Sequence, residues 1–138
     1  MDRLEQIKQP ILAEFEVFNR KFDASLQSSN PLLSEVISFI KQRKGKMMRP
    51  MLALLMAKMC GEINDSTYNV AISLELLHTA SLVHDDVVDE SDKRRGQSSV
   101  NAIYDNKVSV LVGDYLLATC LANAAMVGIA CSTPCPSR

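Results

Sequence analysis

Asp85 and Asp89 stand four residues apart in the stretch HDDVVDESDKRRG. On a helix their carboxylates share one face, one turn from each other. Asp86 flanks them, and Glu90 and Asp92 extend the acidic run. Carboxylates at a helix C-terminus face the negative end of the macrodipole as well as one another, and both effects cost free energy. A cation offsets that cost, and hard oxygen donors at this spacing suit Mg²⁺. Taken alone, the pattern equally describes a solvated acidic helix end. It is not an EF-hand loop, because the acid spacing differs and no glycine stands mid-run.

Basic residues surround this acidic group in the sequence. Lys93, Arg94, Arg95 and Gly96 follow it directly, and an arginine pair beside a metal-binding acid cluster suits a phosphate group bridged by Mg²⁺. Lys46 and Arg49 bracket the start of an apolar run. Helix N-terminal amides with two cations make a pocket for an anion such as diphosphate. On its own, KQRKGK is as readily a solvated basic turn. His78 precedes Asp85 by two turns, about 10 Å along a helix axis, in a stripe with Ser81, Asp85 and Asp89. A lone histidine on a buried helix is more often a satisfied core residue; here the stripe gives it polar company. One acidic and two basic clusters around an apolar helical core describe a site for two phosphorylated substrates with apolar tails, one held through metal. Charge-neutralised diphosphate is a good leaving group, so metal-assisted ionisation is the chemistry such a site favours.

The elements that must position these residues are helical. The 138 residues are 47% apolar and 22% charged, which excludes bulk disorder. With 5 Gly, 5 Pro and no Trp, and plentiful Leu, Ala, Met, Lys and Glu, the composition predicts an all-α fold. A net charge of −1 argues against a nucleic-acid binder. Leu4, Ile7, Ile11, Phe15, Phe18 and Phe22 step by three or four and mark a first helix, with Pro10 either kinking it or near its start. A second helix spans 32–40 after the break at 28–31. A third opens at Arg49-Pro50 and runs to Gly61. The fourth, about 67–88, is capped by Asp65 or Ser66, is apolar on most faces and is therefore central. Residues 90–99 read as a loop, followed by a short helix at 100–104 and an apolar one at 108–127. The apolar run 108–131 approaches membrane-span length, but Asp114 and Asn123 are costly in lipid, so it reads as a core helix rather than a transmembrane segment. The N-terminus has no secretory apolar region, and four cysteines are too sparse to staple the domain, which points to a cytoplasmic protein. Cys131 and Cys135 are spaced CxxxC without a nearby histidine, a poor zinc site.

GKMMRP at 45–50, LELLHTASLVHDDVVDESDKRRG at 74–96 and VGDYLLA at 112–118 together resemble the trans-isoprenyl diphosphate synthase (polyprenyl synthetase) family. The resemblance covers the chain to about residue 126. It implies an antiparallel helical bundle of the isoprenoid synthase type around a deep cavity, commonly a homodimer. The implied reaction is head-to-tail condensation of isopentenyl diphosphate with an allylic diphosphate. By the same resemblance Asp85 and Asp89 ligate Mg²⁺ on the allylic diphosphate, with Asp86 supporting them as the third catalytic carboxylate. Arg94 clasps the allylic diphosphate, and Lys46, Arg49, His78 and Arg95 bind isopentenyl diphosphate. Ala80 and Ser81, one turn before Asp85, flank the growing product; both are small, which implies a medium or long chain of the octaprenyl kind. Against the family pattern, GGKRxRP reads KGKMMRP, RRGxP has Ser98 for Pro, and a second Asp-rich motif is missing. Residues 1–126 are thus expected to be the N-terminal part of a synthase domain with reduced or no activity alone, and 127–138 an atypical tail from truncation or a shifted frame. The alternatives are a non-catalytic subunit that binds a synthase partner, a plain helical interaction module, and an HD-type phosphohydrolase suggested by His84-Asp85. The last needs further ligands, and His78 is the other histidine, six residues away.

Overall fold

The structure, a computed structural model, describes residues 2–42, 47–94 and 96–132. Among them are seven helices and a two-residue hairpin. The N-terminal apolar stripe forms α1 (Arg3–Lys8), a 3-10 turn (Gln9–Ile11) and α2 (Leu12–Ser25). Pro10 lacks the N–H that an α-helical ladder needs, and the tighter turn changes the phase of the stripe. Ile11, Phe18 and Phe22 are buried, with successive phenylalanine rings 5.9 and 5.7 Å apart from Phe15 to Phe22. Ile7, expected on the same buried stripe, is instead 50% exposed, and α1 buries no residue.

Asn30 stops the chain and starts α3 (Pro31–Lys41): its Oδ1 accepts from the N–H groups of Leu32 and Leu33 at 3.0 and 3.2 Å, and Pro31 fits the first turn. Helix α4 (Met48–Cys60) buries Pro50, Met51 and Leu54. Lys58 donates to the Pro10 carbonyl and to Glu14, 3.2 Å away, tying α4 to the N-terminal bend. The next helix, α5 (Asp65–Val88), begins two residues earlier than the periodicity suggests. Its cap is Asn64, not Asp65 or Ser66: the Asn64 side chain accepts from the Thr67 N–H at 3.0 Å, and Thr67 Oγ1 accepts from the Asn64 N–H.

Residues expected to form one loop contain the hairpin β1 (Lys93–Arg94) and β2 (Gln97–Ser98), pairing Lys93 with Ser98 and Arg94 with Gln97. Two residues are too few to show an alternating pattern in sequence. Then come α6 (Val100–Ile103) and α7 (Asn106–Ser132). Helix α7 runs past the expected end at residue 127; residues 133–138, including Cys135, lie outside the described residues.

Helices α5 and α7 pack along their length and run antiparallel, since residue 73 meets 120 while 84 meets 110 and 114. Ala71, Ile72, Leu76, Ala80 and Val83 of α5 and Val112, Leu116 and Cys120 of α7 are buried, the alanines permitting close approach. Ser73 Oγ donates to the Cys120 carbonyl at 3.4 Å and Cys120 Sγ to the Ser73 carbonyl at 3.2 Å. Both helices, expected to be central or core, also expose apolar side chains: Val70, Leu74 and Leu77 of α5 and Val110, Leu111, Leu121 and Met126 of α7. An all-round apolar pattern does not say which faces are covered. The segment Asn106–Val127 is, by length and composition, long and apolar enough to cross a membrane.

Candidate functional site

The acidic end of α5 is closed by backbone geometry. Asp89 caps the helix, and Glu90 follows in the left-handed conformation at φ 54°. Its N–H donates to the Val87 carbonyl at 3.2 Å and that of Ser91 to the Asp86 carbonyl at 2.9 Å. These are the two bonds of a Schellman stop, with Glu where glycine is usual. The chain beyond is then held from α6: the Ser91 carbonyl accepts from Ser99 Oγ at 2.7 Å and Asn101 Nδ2 at 3.1 Å, while the Ser99 N–H donates to the Asp92 carbonyl at 2.8 Å. Sequence reasoning missed this clamp; serine and asparagine after a basic run gave no signal stronger than a loop.

A cavity of about 690 Å³ opens between α3, α4, α5 and the hairpin. Lys41, Arg49, Glu75, His78, Asp86 and Gln97 are among its polar lining, and Ile37, Leu52, Leu55, Leu76 and Leu82 are among its apolar lining. The start of α4 borders it through Met47, Met48 and Arg49. Met47, the N-cap, is left-handed at φ 53° and offers no side-chain acceptor, so among the described residues the first-turn amides of α4 have no side-chain cap beside the cavity. A cavity with both cationic and apolar lining fits an anionic headgroup with an apolar tail.

The predicted residues fall into two groups on α5. His78 and Asp86 line the cavity together with Arg49, and Asp86 is 5% exposed. Ser81, Asp85 and Asp89 are exposed on another face. The steps 78, 81, 85 and 78, 82, 86 both satisfy a helical period; packing selects the second for the cavity. Ala80 is 2% exposed, enclosed in the helix packing. Lys46, Arg95 and the Arg94 side chain lie outside the described residues, although the Arg94 backbone is in β1.

Among the described residues no group of three His, Cys, Asp or Glu side chains is arranged to hold a metal ion. Mg²⁺ does not require one, since it ordinarily keeps several waters and takes one or two carboxylates plus substrate phosphate. Asp85 and Asp89 are exposed, one turn apart, with the Asp89 N–H on the Asp85 carbonyl at 2.8 Å. They fit that donor set.

The polyprenyl synthetase family model matches residues 30–132, three-quarters of the chain. The chain belongs to the polyprenyl synthetase family. A relative in this family, all-trans-nonaprenyl-diphosphate synthase (geranyl-diphosphate specific) of Rhodobacter capsulatus, is 40% identical over 119 residues, covering 86% of this chain and 37% of the relative. A polyprenyl synthase structure from Caulobacter crescentus, complexed with calcium and isoprenyl diphosphate, is 31% identical with TM-score 0.82, covering 89% of this chain and 38% of that one. Geranylgeranyl pyrophosphate synthase from Bacteroides thetaiotaomicron is 52% identical with TM-score 0.70, covering 91% of this chain and 36% of the other. This family member thus spans a little over a third of the length of the proteins it matches, and its all-α fold is that of the isoprenoid synthases.

Proposed function

We propose that the chain carries the isopentenyl and allylic diphosphate grips of a prenyltransferase that condenses the two head-to-tail into a polyprenyl diphosphate. The supporting observation is the convergence of Arg49, His78 and the start of α4, whose N-cap Met47 offers no side-chain acceptor, on one cavity that also has an extensive apolar lining. There an isopentenyl diphosphate headgroup gains cationic and amide donors; Lys46 and Arg95 join them by the family resemblance alone. By the family resemblance, Arg94 grips the allylic diphosphate. Asp85 and Asp89 would hold Mg²⁺, which when bound neutralises the diphosphate as its C–O bond breaks. The isopentenyl double bond then attacks the allylic cation, and a proton is lost.

Similarity to a nonaprenyl-diphosphate synthase and to a polyprenyl synthase complexed with calcium and isoprenyl diphosphate supports this reading. Because the acidic donors among the described residues come from one helix end, turnover by these 138 residues alone is reduced or absent while ligand binding persists. A second copy is the proposed partner, with exposed Leu111 and Leu121 on α7 available to it; sedimentation distinguishes a dimer from a subunit of a mixed synthase. Product length falls in the medium-to-long range, and Ser81 is the position to test. It is exposed one turn before Asp85, whereas Ala80→Phe would overpack the core. Shorter products from a turning-over Ser81→Phe protein support that assignment, and unchanged products remove it.

Mg²⁺ with an allylic diphosphate is expected to raise the melting temperature, as any ligand of the native state must. No shift at saturating concentrations defeats the diphosphate reading, and isopentenyl diphosphate turnover by the chain alone at the rate of a full-length family synthase defeats the claim of reduced activity.

A further inference from the structure

His84 stands directly before Asp85, yet its ring turns away from the exposed acids and seats against α7. Its Nε2 lies 3.2 Å from the Val110 carbonyl and 3.3 Å from Asp114 Oδ1. The floor of the seat is the α7 backbone at Gly113, where a Cβ would overlap the imidazole. Glycine inside a helix costs about 1 kcal/mol relative to alanine, and the close approach of the ring accounts for it here. Far along the same helix pair, Ser73 and Cys120 exchange bonds to each other's carbonyls. Helix α5 is therefore keyed to α7 twice, and the second key lies in the turn that begins the acidic run.

We propose that His84, Gly113 and Asp114 form a positioning clasp that fixes the rotation of the last turns of α5, and so the presentation of Asp85 and Asp89 to a divalent cation. This rests on the metal reading of those two acids given above. None of the three clasp residues is assigned a ligand role; they act through the helix. The imidazole donates from Nε2 to the Val110 carbonyl and the Asp114 carboxylate, while the glycine allows the ring to reach both.

The test is a Mn²⁺ titration of the 138-residue chain with inorganic diphosphate present, reading free Mn²⁺ by electron paramagnetic resonance. Gly113→Ala, which changes no charge, is expected to weaken Mn²⁺ binding about tenfold, the usual effect of removing a group that orients a metal ligand. Asp114 is more than half exposed, so Asp114→Asn keeps the fold and is expected to weaken binding similarly. His84→Gln, which retains an N–H donor, should keep more affinity than His84→Ala. Ser73→Ala loosens the far end of the same helix pair and should lower the melting temperature without moving Mn²⁺ affinity. Equal Mn²⁺ affinity in wild type, Gly113→Ala and Asp114→Asn overturns the clasp alone. Equal weakening by Ser73→Ala also overturns it, because the effect is then general helix-pair stability. No binding by the wild-type chain overturns the metal reading of Asp85 and Asp89 and removes the clasp's purpose with it.

Discussion

Replacing Ser99 by alanine tests how the chain beyond the acidic helix end is held. Ser99 is buried, and its hydroxyl donates to the Ser91 carbonyl at 2.7 Å. The substitution leaves that carbonyl its Asn101 bond at 3.1 Å, so one hydrogen bond is lost without orphaning the acceptor. The cost is then about 1 kcal/mol, or about 3–5 °C of melting temperature for a domain of this size. Asn101→Ala behaves differently. It loses a bond but also removes a buried Oδ1 that has no partner among the described residues. The two effects oppose, and the net change is within about 0.5 kcal/mol. Removing both side chains leaves the Ser91 carbonyl without either donor, so the double variant should cost about 1 kcal/mol more than the sum of the singles. Urea unfolding followed by far-ultraviolet circular dichroism measures all four proteins. A Ser99→Ala change below about 0.3 kcal/mol, or strict additivity in the cycle, would refute the clamp.

Helix capping, ion pairing and thiol burial give three further expectations. Asn64→Ala removes both halves of the α5 capping box and should destabilise the chain by about 1 kcal/mol in the same urea assay. Backbone hydrogen bonding and Lys58 hold the Glu14 carboxyl below its ordinary value. A depressed folded value means that protonation favours unfolding, so this stability is present above the usual carboxylate range and is lost as pH falls through the folded value. Glu14→Gln should therefore flatten the acid limb of a pH series of urea midpoints, and an unaltered limb counts against the pair. Cys60 is exposed whereas burial pushes the Cys120 thiol up. In native buffer a maleimide should modify Cys60 at once and spare Cys120 until denaturant is added, as read by peptide mass spectrometry.

The first helices were legible because each carries its own apolar period, as Leu32 to Ile40 does in α3, and α5 and α7 because they are long apolar runs. Their ends were less so. Asn64, Asp65 and Ser66 are all good caps, and only the reciprocal bond from Thr67 chooses Asn64. The acidic triplet was evident as a group, but not its division. Spacing placed His78 with Asp85, whereas packing turns Asp86 to the cavity and leaves Asp85 and Asp89 outside. The signal for the His84 seat was present as a glycine inside an apolar helix, and its meaning depended on a partner 29 residues away in sequence. The hairpin was too short to carry any period. Local chemistry was therefore readable where neighbours in sequence decide it, and hidden where distant backbone does.

The uneven burial of the helices has a consequence in time. Helix α1 buries no side chain, whereas α5 buries seven and packs along α7. Amide hydrogens should accordingly exchange first in α1, through openings that cost little, and last in the middle of α5 and α7, where exchange waits for global unfolding. The acids that end α5 continue the slowest-opening helix pair. Arg49 belongs to a helix that packs against the same α5 as well as being tied through Lys58 to the N-terminal bend, where Ile11 is fully buried. Excursions of α1 therefore loosen the cavity only at its Ile7 edge, while Arg49 and the acids of α5 stay in place.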